Sequence, residues 1–228
     1  KPTPRALKSN LQPLTSTLCL MELTVAITGA SGSIYAQRTL AQLAASGAVE
    51  RVNLVMSEAA LIVARVETGA KLSEGDASSV NEWVGVERGS KLIRLHRLDN
   101  LAAPPASGSH RQDGMVVVPC SMGTLGAIAS GAGTNLIHRA ADVTLKEGRK
   151  LVLVPRESPY NTIHLENMLR LARAGARILP ASPAFYHRPR TLVEMADHLV
   201  FRILDQFGVP HSQATRWTGD TQEAVSDE

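Results

Sequence analysis

Short, continuous apolar runs alternate with segments of helical spacing along most of the chain. The runs rich in Val, Ile and Leu predict strands at 23–28, 52–56, 92–98, 115–119, 151–154 and 176–179. Helical spacing predicts helices at 34–45, 58–67, 135–146, 161–174 and 191–207, and a small-residue helix from residue 121 onwards. Apolar strands separated by helices are typical of a parallel sheet covered on both faces. The pattern therefore predicts an α/β fold, a three-layer Rossmann-like (flavodoxin-like) sandwich with a parallel sheet.

Two segments lack a clear period. Residues 68–89 predict no regular element, and residues 99–114 carry two prolines and two glycines. A long, turn-rich connection inside a compact domain is often functional, so we expect 99–114 to be a functional loop.

The composition fits one domain. The chain has 228 residues, of which 44% are hydrophobic and 20% charged, which is enough apolar material for a buried core. We expect a domain at 21–209, an extension at 1–20 and a polar tail at 210–228.

Residues 1–20 differ in composition from the rest. They carry Lys1, Arg5 and Lys8, and no acidic residue precedes Glu22. This is typical of a mitochondrial transit peptide, or of an unstructured extension ahead of an internal start at Met21. We favour the second interpretation because chain termini are often disordered. The expected location is cytoplasmic, with a mitochondrial location as the alternative.

The charge balance excludes some partners. Twenty-four Lys and Arg against 21 Asp and Glu give a formal charge of +3, too small to predict nucleic-acid binding. No apolar run approaches the roughly 18 residues of a membrane span, so we expect a soluble protein. Two cysteines, Cys19 and Cys120, do not suggest a disulfide framework and fit a reducing compartment.

A glycine turn follows the first predicted strand. Gly29 and Gly32 would let backbone amides approach an anion at the start of a helix, although a turn without a ligand is about equally plausible. A dinucleotide site would need an acid at the end of the second strand, where this chain has Ser57, so NAD is disfavoured. A mononucleotide with one phosphate needs fewer partners, and hydroxyls could supply them at Ser31, Ser57, Ser121 and Thr124. Taken alone, Ser121 is better explained as a helix N-cap.

A basic cluster runs from Arg139 to Arg156. Arg139 and Lys146 are seven residues apart on one face of a predicted helix, and Arg156 and Glu157 follow the next strand. We expect these cations at the mouth of the sheet, where α/β folds bind ligands. Arg202 lies in an apolar stretch. These basic residues could simply belong to a solvated surface. If they are partly buried, they need anionic partners, for which the candidates are Glu157, Glu67, Asp142 or a phosphate ligand.

Three further candidates are weaker. His164 and Glu166 do not have metal-ligand spacing, so no metal is expected and a helix-packing histidine is favoured. Cys120 is interpreted as a small buried filler rather than a nucleophile. Tyr186 follows a predicted strand and could belong to the core or hydrogen-bond a ligand.

Several of these segments together resemble the UbiX-type flavin prenyltransferases, within the flavin-containing cysteine decarboxylase group. The resemblance covers residues 23–209. The segments that carry it are Thr28-Gly29-Ala30-Ser31-Gly32, Pro104-Pro105-Ala106-Ser107-Gly108-Ser109, Pro119-Cys120-Ser121-Met122-Gly123-Thr124, Arg139-Ala140-Ala141-Asp142, Pro155-Arg156-Glu157, Ile163-His164-Leu165-Glu166-Asn167-Met168 and Pro183-Ala184-Phe185-Tyr186.

The resemblance implies transfer of a dimethylallyl group from dimethylallyl phosphate to N5 and C6 of reduced FMN, which gives prenylated FMN. It implies FMN binding by Gly29, Ala30, Ser31, Ser57, Ser121, Met122, Gly123, Thr124 and Arg156. The donor phosphate would contact Arg139, Lys146, Glu157, Tyr186 and Arg202, and the implied catalytic residues are Glu157, Lys146, Ser31, Glu67 and Tyr186. A homo-oligomer, expected to be a dodecamer, would share these residues between subunits, and a UbiD-type decarboxylase would receive the product, in ubiquinone biosynthesis or aromatic-acid metabolism.

The residues agree with that chemistry in two respects. No Asp-rich motif for magnesium and a diphosphate occurs, which fits a monophosphate donor and metal-independent catalysis. Fixed cations would stabilise the departing phosphate, and Glu157 is our choice for proton transfer. One departure is Leu101, where several relatives have a tryptophan that can face the allyl cation, so donor preference or rate could differ.

Two rival functions stay open at this point. One is an FMN-dependent decarboxylase of cysteine-containing peptides, since that branch shares the fold and a Pro-Ala-Ser loop. The other is a non-catalytic flavin carrier that delivers the cofactor to a partner.

Overall fold

Six parallel strands form one sheet in the described part of the chain. The computed structural model describes residues 20–211, so nearly all of the expected extension at 1–20 and most of the expected tail lie outside the described residues. The strands are β1 (Met21–Ile27), β2 (Val49–Met56), β3 (Ile93–His96), β4 (Gly114–Cys120), β5 (Lys150–Pro155) and β6 (Arg177–Ile178). Their order in the sheet is β3-β2-β1-β4-β5-β6, which is the doubly wound Rossmann order.

Seven helices among the described residues cover the sheet. They are α1 (Ser33–Ala45), α2 (Glu58–Thr68), α3 (Ala77–Val84), α4 (Met122–Ser130), α5 (Leu136–Lys146), α6 (Thr162–Arg173) and α7 (Leu192–Phe207). A short 3-10 helix at Pro104–Ala106 lies within the predicted functional loop. None of the helices in residues 20–211 combines the length and apolar character that crossing a membrane requires.

Two buried clusters lie on opposite faces of the sheet. One packs the strands against α1, α2, α3 and α7, with Leu40 and Ile203 at its centre. The other packs them against α4, α5 and α6, with Leu125 and Ile137 fully buried. Helices on both faces of a parallel sheet make three layers, so the predicted fold class is confirmed.

The helix α3 lies where the sequence predicted no element. Its start is capped by the side chain of Asp76, which accepts a hydrogen bond from the Ser78 amide at 2.9 Å. Its end is set by Gly85, which has a φ of 78°. The helix has only eight residues, which is too short to produce a recognisable apolar period.

Candidate functional site

The carboxyl ends of β1, β2 and β4 are joined by hydrogen bonds. The amide of Ser57 donates to the carbonyl of Ile27 at 3.0 Å. The amide of Ser121 donates to the hydroxyl of Thr28 at 2.8 Å. This edge includes the switch point of the sheet, where β1 and β4 are neighbours and helices leave to opposite faces. Ligands of doubly wound sheets bind at such a crevice.

Arg156 connects the end of β5 to the glycine turn after β1. Its Nε donates to the carbonyl of Ser31 at 2.9 Å. Ser31, Ser57, Ser121 and Arg156 therefore lie at one edge of the sheet, where residues that follow parallel strands meet.

Two serines at this edge cap helices. The hydroxyl of Ser57 accepts from the Ala60 amide at 3.1 Å at the start of α2. The hydroxyl of Ser121 accepts from the Thr124 amide at 3.3 Å and donates to the Thr124 hydroxyl at 3.1 Å. The N-cap interpretation of Ser121 is confirmed. The starts of α2 and α4, with their free backbone amides, both face the same crevice.

The backbone turns have room for a ligand at one point and none at another. Beside Gly123, in the first turn of α4, a side chain would meet no atom within 4 Å. At Gly29 a Cβ would come within 2.5 Å of the Ala59 Cβ, so α2 packs directly on the glycine turn. Ala30 and Met122 are buried beneath these turns.

The glycine turn holds an anion that belongs to the chain itself. The carboxylate of Glu67, from the end of α2, accepts from the Gly32 amide at 3.0 and 3.1 Å and from the Ser33 amide at 2.7 Å. Burial alone would raise the pKa of Glu67, but hydrogen bonds from Ser31, Ser33 and Gly32 outweigh it and lower the pKa. The start of α1 is thus an anion-binding position that Glu67 of the same chain fills, and the ligand phosphate predicted for this turn stays a prediction.

A cavity of about 470 Å³ opens beside this turn. Ser31, Glu67 and Arg156 form its polar end. Its other walls come mainly from the first turns of α1 and α7, through Ile34, Tyr35, Leu192, Met195 and Ala196. A ligand with a charged head and an apolar body fits this distribution of side chains.

Arg139 and Lys146 do not line this cavity, and the expectation that Lys146 reaches the mouth of the sheet is wrong for a single chain. Lys146 ends α5 just before β5 begins at Lys150, whereas Arg156 follows the end of β5. A strand of six residues spans about 20 Å, which puts Lys146 near the opposite edge of the sheet.

The two cations of α5 contact the predicted functional loop instead. Arg139 donates through Nε to the Ala106 carbonyl at 3.1 Å and forms an ion pair with Asp142 at 2.7 Å. Lys146 forms an ion pair with Glu147, and both side chains lie where a Cβ on Gly108 would be. Of the expected anionic partners, Asp142 pairs with Arg139.

Tyr186 and Arg202 lie in a third place. The Tyr186 hydroxyl is 2.9 Å from Nε2 of His198, and Arg202 forms an ion pair with Asp205 at 3.0 Å. Arg202 and His198 line a separate cavity of about 440 Å³ beside β6. One chain therefore keeps the cations expected around a donor phosphate apart, with Arg139 and Lys146 against the loop at 106–108 and Arg202 on α7.

Glu157 and Leu101 are exposed. The Glu157 carboxylate accepts from the Ser158 amide at 3.1 Å, one residue beyond Arg156. The Leu101 side chain is 50% exposed at the start of the loop that contacts α5. Neither side chain lines the cavity beside the glycine turn.

The weaker candidates have structural roles. His164 belongs to a capping box with Asn161 at the start of α6, rather than to helix packing as expected. Cys120 is fully buried, and burial raises the pKa of its thiol to about 12, which confirms the filler interpretation. Within residues 20–211, no group of three or more His, Cys, Asp or Glu side chains is arranged to hold a metal ion.

Three residues that contact the candidate site residues were not predicted from the sequence: His198, Glu147 and Asp205. His198 precedes Arg202 by four residues, so helical spacing would have placed both on one face of α7. Glu147 and Asp205 lie one and three residues beyond the cations that they pair with. Their contacts depend on side-chain direction, which the apolar pattern does not encode.

Comparisons with known proteins agree with the geometry. The Flavoprotein family model matches residues 14–200. The flavin prenyltransferase UbiX of Pseudomonas aeruginosa is 46% identical over 209 residues, which cover 90% of this chain and 97% of that protein. The flavin prenyltransferase UbiX of Halalkalibacterium halodurans is 46% identical over 85% of this chain and 92% of its own.

Solved structures give the same result. A dodecameric FMN-dependent UbiX-like decarboxylase from Escherichia coli O157:H7 superposes with a TM-score of 0.77 at 45% identity, over 87% of this chain and all of that one. AnUbiX (PadA1), in complex with FMN and dimethylallyl pyrophosphate, superposes with a TM-score of 0.77 at 42% identity, over 88% of this chain and 98% of that one. The cypemycin decarboxylase CypD, at 16% identity and a TM-score of 0.53, shares the fold alone.

Proposed function

This chain belongs to the UbiX flavin prenyltransferase family, and from that premise we propose that it transfers a dimethylallyl group from dimethylallyl phosphate to N5 and C6 of reduced FMN. The observation that carries the proposal is the 46% identity to a named flavin prenyltransferase over 90% of the chain. The crevice at the ends of β1, β2, β4 and β5 supports it, because the residues implied for FMN meet there.

In this proposal the crevice binds FMN through backbone amides and hydroxyls. The turn at 29–31, Ser57, the first turn of α4 at 121–124 and Arg156 surround it. Two helix starts and one guanidinium supply positive potential for a phosphate, and the open space beside Gly123 lets a ligand approach the backbone. Reduced FMN supplies the nucleophilic N5 and C6 when it is bound.

The donor phosphate is held by cations. Breaking the allylic C–O bond puts charge on the departing phosphate, so fixed cations stabilise the transition state more than the ground state. We assign Arg139, Lys146 and Arg202 to this role, with Tyr186 as a further hydrogen-bond donor. Ser31 and Glu67, at the polar end of the cavity, face the reacting groups, and Glu157 moves the proton lost from C6.

These cations can meet only if more than one chain builds each site. Within a chain, Lys146 lies near the other edge of the sheet from Arg156, and Arg139 contacts the Ala106 carbonyl rather than the cavity. We therefore propose a homo-oligomer, and a dodecamer by analogy with the dodecameric E. coli relative. Large exposed apolar side chains on three helices would cover one another in it: Ile62, Val66, Ile163, Leu165, Leu169, Leu192 and Val193.

Prenylated FMN is a cofactor rather than an end product, so the proposal includes a consumer. We propose a UbiD-type decarboxylase in the cytoplasm as the acceptor. The peptide decarboxylase alternative has less support, because the resemblance to CypD at 16% identity extends to the fold alone.

The mass of the flavin tests the proposed reaction. Protein with dithionite-reduced FMN is incubated anaerobically with dimethylallyl phosphate, and the released flavin is measured by mass spectrometry. A five-carbon increment is expected. Unmodified FMN after full incubation, with FMN binding intact, would reject the prenyltransferase assignment.

Lys146→Ala separates an enzyme from a flavin carrier. Because Lys146 is assigned to the leaving phosphate and not to FMN, the variant should bind FMN normally and lose product formation by about a hundredfold or more. Lys150→Ala is the matched control, since it removes an exposed lysine four residues away at the start of β5. A carrier would lose nothing with either variant.

A further inference from the structure

The helix α7 presents two polar side chains to one cavity. His198 and Arg202 are one helical turn apart, and both line the cavity beside β6 together with Arg177 and Gln206. Arg202 is one of the cations that we assign to the donor phosphate. His198 has no role in the proposed reaction described so far.

His198 is the anchor for Tyr186. Tyr186 lies in residues 179–191, which form no helix or strand, and its side chain is 48% exposed. Its hydroxyl is 2.9 Å from Nε2 of His198, and the two rings meet edge to face at 5.4 Å. The next ring, His187, stacks on His198 at 4.5 Å with an interplanar angle of 9°. Two consecutive residues of an irregular segment are thus fixed to one rigid helix.

The contact also sets where Tyr186 lies relative to Arg202. Tyr186 is fixed to α7 through the His198 ring, and Arg202 is itself a residue of α7. Burial, followed by the charges of His187 and Arg202, lowers the pKa of His198. A neutral imidazole can form a hydrogen bond with the phenol hydroxyl of Tyr186, as donor or acceptor, without adding a charge to the site.

We propose that His198 is a positioning residue, which holds the Tyr186 hydroxyl at the spacing from Arg202 that a donor phosphate requires. This inference rests on the proposed function, since it assumes that Tyr186 and Arg202 contact the donor. An anchored hydroxyl does not have to be ordered when the donor binds, so the donor binds more tightly. The contribution concerns the donor and leaves FMN binding untouched.

The test compares two substitutions of His198 by steady-state prenylation of FMN. His198→Phe keeps a ring for the stack but removes the nitrogen, and should raise KM for dimethylallyl phosphate roughly three- to tenfold with little change in kcat. His198→Gln places an amide near the position of Nε2 and should restore most of the wild-type KM. FMN affinity should be the same in all three proteins. Gln206→Ala is the matched control, since it removes another side chain from the same cavity, one that donates to the Arg202 carbonyl.

A double-mutant cycle with Tyr186→Phe checks the route of the effect. If His198 acts through the Tyr186 hydroxyl, Tyr186→Phe alone raises KM, and adding His198→Phe to it raises KM no further. Equal KM values for wild type, His198→Phe and Tyr186→Phe, or effects that simply multiply, would overturn the inference. If His198→Phe does not fold, an unchanged KM in Tyr186→Phe alone overturns it too. Wild-type protein that makes no prenylated FMN would instead contradict the proposed function.

Discussion

Glu67 occupies the anion-binding position at the start of α1. Its carboxylate accepts hydrogen bonds from two backbone amides that no residue of the helix itself can satisfy. Such a contact stabilises the turn and also fixes the polar end of the cavity. The charge on this one side chain should therefore affect both stability and its dependence on pH.

Glu67→Gln should lower the free energy of unfolding at pH 7 by about 0.5 kcal/mol, a small value because the side chain is largely exposed and solvent screens it. The folded-state pKa of Glu67 is lowered, so its stabilisation is present above about pH 4.5 and is lost as the pH falls through the folded-state pKa. Urea unfolding at pH 7 and near pH 3 measures this. A difference between variant and wild type that persists unchanged at low pH would contradict the electrostatic explanation.

Gly29 is required for a different reason, which is the contact of its turn with α2. A Cβ at this position would be 2.5 Å from the Ala59 Cβ, so Gly29→Ala should destabilise the protein by about 2 kcal/mol and weaken FMN binding. Chemical denaturation and flavin fluorescence titration measure the two effects.

Ala59→Gly provides the compensating change. With the Ala59 Cβ removed, the nearest atoms to the new Cβ are 3.5 Å away, which is an ordinary contact. The double variant should recover FMN affinity, although glycine within α2 costs about 1 kcal/mol of stability. No recovery of FMN affinity would mean that Gly29 is needed for the ligand itself and not for packing.

The helices α1 and α7 are held together by a charged contact within their apolar interface. Arg38 donates through Nε and a terminal nitrogen to both carboxylate oxygens of Asp197, at 2.6 and 2.7 Å. The bond to Asp197 raises the pKa of Arg38. Because α1 begins at the glycine turn and α7 carries His198 and Arg202, this pair links two parts of the proposed site.

Asp197→Asn should destabilise the fold by about 2 kcal/mol, because it leaves a partly buried guanidinium without its charged partner. Thermal and urea unfolding measure the change. Asp99→Asn is the matched control, since its pair with Arg97 is exposed and its loss should have no measurable effect. Equal effects of the two substitutions would show that burial does not decide the contribution.

Most elements could be predicted from the sequence, because apolar runs and helix caps are local signals. β2, β4 and β5 were predicted within three residues of their bounds, whereas β6 is only two residues long where four were expected.

The predicted position of Lys146 was wrong although its helix was predicted correctly. The prediction did not take into account in which direction α5 runs relative to the strands. A helix that precedes a strand ends at the edge where that strand begins, so Lys146 could not share an edge with Arg156. The contacts of His198 depend on an irregular segment and could not be predicted from spacing.

In residues 20–211, apolar side chains are exposed and cations implied for the site lie away from its cavity. Ile163, Leu165 and Leu169 are each more than half exposed on α6. Lys146 lies near the edge of the sheet opposite Arg156, and Arg139 contacts the Ala106 carbonyl outside the cavity. Both observations are explained if copies of the chain pack together and complete one another's sites.

Leu169→Lys should break this assembly, because a charge in the middle of a buried apolar contact is costly. We expect a smaller species by analytical ultracentrifugation, with an intact circular dichroism spectrum and no prenylation. Glu87→Lys, which adds positive charge at an exposed site beyond α3, should assemble normally. An assembled but inactive Leu169→Lys protein would contradict the role of α6 as a subunit contact.

Subunit complementation tests the central claim most directly, namely that prenyl transfer to FMN occurs at sites shared between copies of the chain. Arg156→Ala and Lys146→Ala are each expressed alone, and in a third preparation they are co-expressed so that mixed oligomers form. Prenylated FMN is measured by mass spectrometry in all three. Each variant alone should be inactive. Mixed oligomers should regain about a quarter of wild-type activity, because in about one site of four Arg156 comes from a Lys146→Ala subunit and Lys146 from an Arg156→Ala subunit. Mixed oligomers as inactive as either variant alone would contradict the account.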